Sequence, residues 1–455
     1  MMRVSEAAFA LGVAQRGADP VFTSVGTDSR NVQPGELFIA LRGTQFDGHQ
    51  YIAAAQAAGA VAVMADTQGA ALVPESMPLI AVNNTHTGLT QLAHAWRSRF
   101  TGPLVALTGS SGKTTVKEML AAILRQVYGE HLLATRGNLN NDIGVPLTLL
   151  ELREHHRCAV IEMGMNHAGE ISGLTRLARP DVALINNAGR AHIEHLGSEE
   201  AIARAKGEIF EGLSGDGIAV INADDAYVAL WQKIINKNNY LRFGLDKAAE
   251  VSARYELHAL DSAIHLKTPA GEISATLNAP GLHNVRNALA ASAAAIALNT
   301  PLAAIAAGLA KYGGVKGRLQ RQRASGGATL IDDTYNANPE SMCAAIDVLA
   351  RAAKPRVLVL GDMGELGERA AACHGEVGTY ARTAGIETLY ALGDLSAHTV
   401  AAFGTGGRHF TQIGDLIEQL HASLTVDATV LVKGSRFMKM ERVVQAVLIG
   451  ETACS

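Results

Sequence analysis

The sequence predicts an α/β protein in three domains. Continuous apolar runs of strand length alternate with helix-length amphipathic stretches from near residue 30 to near residue 445. Several of the runs close on a glycine, as strands do before a tight turn into a helix. Composition agrees: 48% hydrophobic, 18% charged and only 5% aromatic, with 46 glycines, which suits alanine-rich helices packed on sheets and excludes a disordered chain. At roughly 150 residues per domain, 455 residues point to three domains.

The first domain is expected over residues 1–100. Leu37–Leu41, Val61–Ala65 and Leu79–Val82 read as strands, and the YIAAAQAAGA stretch ending at Gly59 reads as a helix. The central domain is expected over 101–314. PLVAL leads there into a glycine turn, and Lys113–Val127 follows with apolar residues at helical spacing. Cys158–Gly164 and Val182–Asn187 read as buried parallel strands. The glycine-rich segment Lys311–Gln320 marks the second boundary. Beyond it, over 315–455, TLIDD, RVLVLGD, TLYALGD and TVLVKGS form a Rossmann-like series, which places ligands at the carboxyl ends of its strands.

Several classes are excluded. A formal charge of −4 gives no bulk attraction to nucleic acid or to an anionic membrane. The cysteines (Cys158, Cys343, Cys373, Cys454) form no CxxC pair, so neither a disulfide framework nor structural zinc is expected, and a reducing cytoplasm fits. The N-terminus has no apolar run of the kind a secretory signal needs. The uncharged stretch Asn287–Ala310 is interrupted at Asn299-Thr300-Pro301, so it reads as two helices meeting at a turn rather than a membrane span.

The sharpest motif is Thr108-Gly109-Ser110-Ser111-Gly112-Lys113-Thr114-Thr115, between an expected strand and an expected helix. That context marks a phosphate loop of P-loop ATPase type: glycines turn backbone N–H groups onto phosphate oxygens, and the helix N-terminus adds positive potential. Lys113 reaches the β/γ-phosphates, and the Thr114 hydroxyl suits Mg²⁺. Leu107 stands where the longer pattern has glycine, so the motif is a shortened variant; a chance glycine-serine turn is the bland alternative.

Other signals are weaker singly. Glu162 ends an apolar strand on the same edge as the phosphate loop; buried glutamates are rare unless paired or metal-bound, although without the loop a capping or salt-bridged glutamate is the favoured reading. His192, Glu194 and His195 follow a strand end, where loop hydrogen bonding is the usual role. Lys206 sits in an apolar helical setting near Glu208, where a solvated lysine is the default. Asn284 and Asn287 share one face of a starting helix and suit an adenine edge, or simply an N-cap. IDDTYNANPESM and LVKGSR gather polar groups at strand ends, with NANP readable as a mere turn.

Taken together, these motifs resemble the Mur ligases, the ATP-dependent amide-forming enzymes of peptidoglycan synthesis, over essentially the whole chain. TDSRNVQPGELFIALRGTQFDGHQYI, GNLNNDIGVPLTLL, DDTYNANPESM, LGDMGELG and VLVKGSRFMKMERVV are most similar to members that add D-alanyl-D-alanine to UDP-N-acetylmuramoyl-tripeptide. The D-N-P-R sequence of the members that add meso-diaminopimelate does not occur.

The resemblance implies ATP, two Mg²⁺ ions and an acyl-phosphate route. It places Lys113 on the transferring phosphoryl group and Thr114 and Glu162 on one Mg²⁺. His192 and a carbamylated Lys206 fall on the second. Asn284 and Asn287 fall on adenine, Arg318 on phosphate and Asp333 on ribose. Thr27, Asp28, Ser29 and Arg30, with the Asp47-Gly48-His49 turn, fall on the UDP-sugar, which makes the first domain UDP-binding; Asn138, Asn140 and Asn141 fall on the muramoyl peptide, and Tyr335, Asn336, Asn338 and Arg436 on the dipeptide. A cytoplasmic monomer without nucleic-acid or membrane partners is expected. The competing readings are a folylpolyglutamate synthase-like ligase, a small-molecule kinase, and a phosphate-loop binding protein without ligase activity. A separate domain of about one hundred residues before the loop speaks against the first. The combination of Glu162, His192 and Lys206 speaks against the last.

Overall fold

The computed structural model describes residues 1–43, 46–189, 196–235, 239–258 and 261–448. Three mostly parallel sheets follow one another along the chain. The first has five strands in the spatial order Gln15–Arg16, Leu79–Val82, Ala62–Asp66, Glu36–Ile39 and Ser24–Gly26; only Gln15–Arg16 runs antiparallel. The expected helix after residue 50 is a short 3₁₀ turn, Gly48–Tyr51, continuing as Ile52–Ala57.

The second sheet is parallel throughout. Its order is Asn239–Phe243, Ile218–Asn222, Val182–Ile185, Leu104–Thr108, Cys158–Glu162 and Leu132–Ala134. Glu162 lies opposite Leu107, and Ile185 opposite Thr108. The register therefore brings Thr108, Glu162 and the residues after Ile185 to one edge, the carboxyl end where such sheets bind ligands. Helices Lys113–Tyr128 and Leu282–Ala297 cover one face, packing Val116, Leu120, Leu124, Val285 and Leu289 on Val105, Leu107, Val160 and Leu184.

The third sheet runs Gln320–Arg323, Thr329–Asp333, Thr429–Lys433, Arg356–Gly361, Thr388–Leu392 and Gly407–Phe410, with its first strand antiparallel. The four motif-bearing strands of the sequence lie side by side within it, and Asp333 faces Lys433 across one pair.

The charge-free stretch divides as expected, into Leu282–Ala297 and Leu302–Lys311 with Thr300 and Pro301 between. Among the described residues no helix is long and apolar enough to cross a membrane. Two antiparallel sheets have no counterpart in the sequence reading: the short pair Met2–Arg3 and Val21–Phe22, and the three strands Ser252–Leu257, Ser262–Thr268 and Gly271–Leu277. The middle strand of the three alternates buried Ser262, Ile264, Leu266 and Thr268 with more exposed neighbours, a period-two signal that was open to notice.

Packing couples the sheets unequally. One hydrophobic core runs from Leu37, Ile39, Leu89 and Leu92 into Val145, Leu149, Leu174 and Ile202, so the first two sheets share an interior. The Arg97 guanidinium reinforces that junction, donating to the carbonyls of Ala178 (2.7 Å), Phe100 (2.8 Å) and Arg179 (3.1 Å). The third sheet carries separate cores on its two faces. Polar contacts across the cleft connect it to the second sheet.

Candidate active site

The loop expected to cradle phosphate runs between strand Leu104–Thr108 and helix Lys113–Tyr128. Gly112 sits at φ 76°, and a Cβ there would lie 2.4 Å from Asn287 Oδ1 and 2.7 Å from Asn186 Nδ2. Glycine is therefore required for both conformation and space. Two asparagines after strand Val182–Ile185 hold the loop. Asn187 Oδ1 accepts from Ser111 N at 2.8 Å, while Asn186 and Asn187 both donate to the Ser111 carbonyl, at 2.9 and 3.1 Å. The Ser110 hydroxyl accepts from Gly189 N at 2.9 Å. Lys113 turns its ammonium back onto the Gly109 carbonyl, 2.7 Å away, with the Ser110 carbonyl at 3.5 Å. Thr114 and Thr115 are buried in the first turn of the helix, and the buried Thr108 hydroxyl beneath them has no hydrogen-bond partner.

Glu162 is 1% exposed. Its Oε1 accepts from the Thr114 hydroxyl (3.2 Å) and from Asn140 Nδ2 (2.8 Å), while its buried Oε2 has no partner. A carboxylate oxygen left without a donor in a buried setting is costly unless a cation completes it. Two oxygens from Glu162 and Thr114 beside a phosphate loop are the hard donors that Mg²⁺ takes.

Lys206 is also 1% exposed, near the end of helix Glu199–Gly207. Burial holds its amine well below the usual lysine range, and the charge of Lys113 pushes in the same direction. Burial likewise lowers Lys113, with the negative charge of Glu162 opposing. His192, with Glu194 and His195, lies outside the described residues.

Ser110, Ser111, Gly112, Lys113, Thr115 and Glu162 line a cleft of about 460 Å³ between the second and third sheets, whereas Lys206 is not among its lining residues. Asn284 and Asn287 are buried on its central wall: Asn287 Nδ2 donates to Asn284 Oδ1 (3.3 Å), and Asn287 Oδ1 accepts from Asn186 (3.0 Å). The third sheet supplies the opposite wall. Arg318 stacks its guanidinium 4.2 Å from the Tyr335 ring centroid and donates from Nη2 to the Thr114 hydroxyl at 3.0 Å. Asp333 is buried and takes a 2.6 Å ion pair from Lys433 as well as the Leu319 N–H. Asn338 caps helix Pro339–Ala350 through Ser341 N and also donates to the Ser111 hydroxyl at 3.1 Å. The NANP turn is thus both a helix cap and a contact to the phosphate loop.

Other expected residues lie differently. Asn140, Asn141, Tyr335 and Asn336 line the cleft, whereas Asn138 and Arg436 are not among its lining residues. Arg436 pairs with Glu441 at 3.0 Å. Thr27, Asp28, Ser29 and Arg30 form a surface segment of the first domain, away from that lining, in which Arg30 holds the Asp28 carboxyl down to about 2. His49 is buried between Asp47 Oδ1 (2.6 Å) and the Asp66 N–H (3.1 Å), so it braces the Asp47-Gly48 turn from within. Sequence reasoning passed over Asn186, Asn187 and Lys433 as site residues. The strand ends VALINN and LVKGS were both visible, but which of their polar groups turn into the cleft depends on the sheet register.

Comparison with known proteins bears on this geometry. The Mur ligase middle domain matches residues 107–295, the Mur ligase glutamate ligase domain 317–436, and the Mur ligase catalytic domain family 21–97. The UDP-N-acetylmuramoyl-tripeptide–D-alanyl-D-alanine ligase of Escherichia coli (strain K12) is 43% identical over 436 residues, 95% of each chain.

The chain belongs to the Mur ligase family.

Among solved structures of Mur ligases, a crystal structure of MurF from Acinetobacter baumannii superposes with a TM-score of 0.90 at 34% identity, covering 97% of both chains. MurF from Thermotoga maritima in complex with ADP gives 0.82 at 27% identity, over 94% of this chain and 97% of that one. The α/β Mur ligase architecture thus extends over 97% of the chain.

Proposed function

We propose that the cleft binds ATP on the Gly109–Thr115 loop and activates a carboxylate for attack by an amine. The chain is an ATP-dependent ligase of peptidoglycan precursor synthesis that joins D-alanyl-D-alanine to UDP-N-acetylmuramoyl-tripeptide through a new C–N bond. The γ-phosphoryl group passes to the tripeptide's terminal carboxylate, the dipeptide amine attacks the resulting acyl phosphate, and the tetrahedral species collapses with loss of phosphate.

Two difficulties must be met: anions have to approach one another, and water has to be kept from the acyl phosphate. Lys113 would swing from the Gly109 carbonyl onto the transferring group. Thr114 and Glu162 would hold one Mg²⁺, which supplies charge neutralisation for the phosphates. The partnerless Oε2 of Glu162, whose other oxygen accepts from Thr114, is the observation that carries this reading.

Lys206, with His192, would serve a second Mg²⁺ once carbamylated. A buried lysine whose ammonium form is disfavoured presents the neutral amine that adds CO₂: the nitrogen lone pair forms the N–C bond as one C–O π bond opens, one proton leaves to water, and the neutral amine becomes a carboxylate-like anion. Asn284 and Asn287 would face adenine, with Arg318 on phosphate and Asp333 on ribose. The segment Thr27–Arg30 and the turn at Asp47–His49 would present the UDP-sugar site of a first domain ending near residue 100. Asn138, Asn140 and Asn141 would meet the muramoyl peptide, and Tyr335, Asn336, Asn338 and Arg436 the dipeptide. The third domain, from about residue 315, would exclude water by closing through Arg318 and Asn338. A monomer acting in the cytoplasm fits these roles.

The test is phosphate release from ATP and Mg²⁺ with UDP-N-acetylmuramoyl-tripeptide, with and without D-Ala-D-Ala. Release that needs both substrates, with the pentapeptide nucleotide in the mass spectrum, is expected. Release supported by a single amino acid instead of the dipeptide would move the chain elsewhere in the family.

A further inference from the structure

One buried charge has no part in the chemistry above. Lys117 lies one turn beyond Lys113 in helix Lys113–Tyr128 and is 0% exposed, among the largest fully buried side chains of the protein. A cation there opposes the positive N-terminal end of its own helix, and an apolar side chain of similar length would fill the space. Its ammonium donates to the Thr135 carbonyl at 2.6 Å and pairs with Glu118 at 2.5 Å.

Thr135 connects that lysine to the site. It is 1% exposed and follows the edge strand Leu132–Ala134; its N–H donates to the Val160 carbonyl at 3.0 Å. Its hydroxyl accepts the backbone N–H of Glu162 at 3.0 Å. From Thr135 the chain continues to Asn140, whose side chain donates to Glu162 Oε1 at 2.8 Å and whose carbonyl accepts from Gly164 N at 2.7 Å. Glu162 is thus held at its backbone by Thr135, at its carboxylate by Asn140, and just beyond it by the Asn140 carbonyl. Lys117 anchors the start of the segment that supplies all three contacts.

We propose that Lys117 is a positioning residue for the metal-binding carboxylate: through Thr135 it sets the height and aim of Glu162 against Thr114. This rests on the reading of Glu162 as a cation ligand given above. The ammonium is the group that fits the task, because it bridges a carbonyl of the 135–141 segment and a carboxylate of the phosphate-loop helix at once. The two halves of the donor pair, Thr114 and Glu162, therefore share a fixed strut. Groups that orient metal ligands from behind characteristically contribute about ten- to a hundredfold in metal affinity.

The test is Mn²⁺ binding to the full-length protein in the presence of ADP, followed by electron paramagnetic resonance, alongside ADP binding in EDTA. Glu162→Gln is the reference variant and must weaken Mn²⁺ binding; unchanged affinity there overturns the cation-ligand reading and this inference with it. Given that loss, Lys117→Met is expected to weaken Mn²⁺ binding by about tenfold or more, with metal-free ADP binding and the circular dichroism spectrum unchanged. Lys117→Arg is expected to recover part of the loss. Thr135→Val, which removes the hydroxyl acceptor but keeps the shape, is expected to reproduce it and carries the test should Lys117→Met fail to fold. Wild-type Mn²⁺ affinity in a folded Lys117→Met or in Thr135→Val overturns the assignment, as does an equal loss of metal-free ADP binding, which would mark a general structural role.

Discussion

Arg318 and Thr114, 204 residues apart, share a 3.0 Å hydrogen bond in which a guanidinium from the third domain donates to the hydroxyl that opens the phosphate-loop helix. That hydroxyl also donates to Glu162, and the guanidinium is held flat over Tyr335. The contact ties the third domain's position to the state of the phosphate loop. Arg318→Ala should lower kcat/KM for ATP by about ten- to a hundredfold, the value of a charged hydrogen bond expressed as a rate. Arg318→Lys should recover little, because an ammonium cannot stack and donate along the same plane. Steady-state kinetics with varied ATP will check both.

Gly112 is the second point of leverage. Gly112→Ala places a methyl 2.4 Å from Asn287 Oδ1 at a φ of 76°. The conformation alone costs about 1–2 kcal/mol, and the clash moves Asn287 or the loop. ADP affinity measured by calorimetry should fall sharply, while the melting temperature shifts only modestly. Wild-type ADP affinity would contradict this account of the loop.

Lys206→Ala should nearly abolish turnover, with partial return on adding short carboxylic acids and slight activity in Lys206→Glu. The pH dependence has a definite sign. Falling pH protonates the amine and removes the form that adds CO₂, so wild-type activity should drop on the acid side and recover with added bicarbonate. Full activity of the alanine variant without added acid would remove the carbamate from the mechanism.

Glu387 offers a stability test remote from the cleft. Its carboxylate takes two bonds from the buried Arg356 guanidinium, at 2.7 and 3.1 Å, and Lys354 lies 3.0 Å away. Hydrogen bonding to Arg356 lowers its pKa from 4.5 to about 2. Folding is therefore favoured by this group above 4.5, and that contribution is lost as the pH falls towards 2. Glu387→Gln should cost about 1–2 kcal/mol at neutral pH once solvent screening of a partly exposed pair is allowed for, and should flatten the acid side of the stability profile. Urea unfolding across pH will show whether it does.

Much of this protein was legible in one dimension. Apolar runs located the motif-bearing strands, since a strand buried on both faces must be continuously apolar. Thr108–Thr115 was readable as a phosphate loop because it is local: glycine, lysine and threonine act within a single strand-turn-helix. Asn299-Thr300-Pro301 broke the alanine-rich stretch for an equally local reason. The antiparallel sheet within 252–277 escaped because its strands follow one another with no helix between them and so stand outside the strand-helix rhythm around them.

The α/β class, the candidate site motifs and the family they resemble were all readable along the chain, because local periodicity and short motifs carry that information. How those residues meet followed from packing in three dimensions. Sheet register put Glu162 opposite Leu107, at the edge where the glycine loop begins, and turned Asn186 and Asn187 onto Ser111. Packing buried Lys206, which its helical setting alone reads as solvated, and it buried Lys117 as well. The approach of the third sheet delivered Arg318 and Asn338 to the phosphate loop and paired Asp333 with Lys433. Such relationships join residues tens to hundreds of positions apart, and burial and charge coupling depend on those distances in space rather than along the chain.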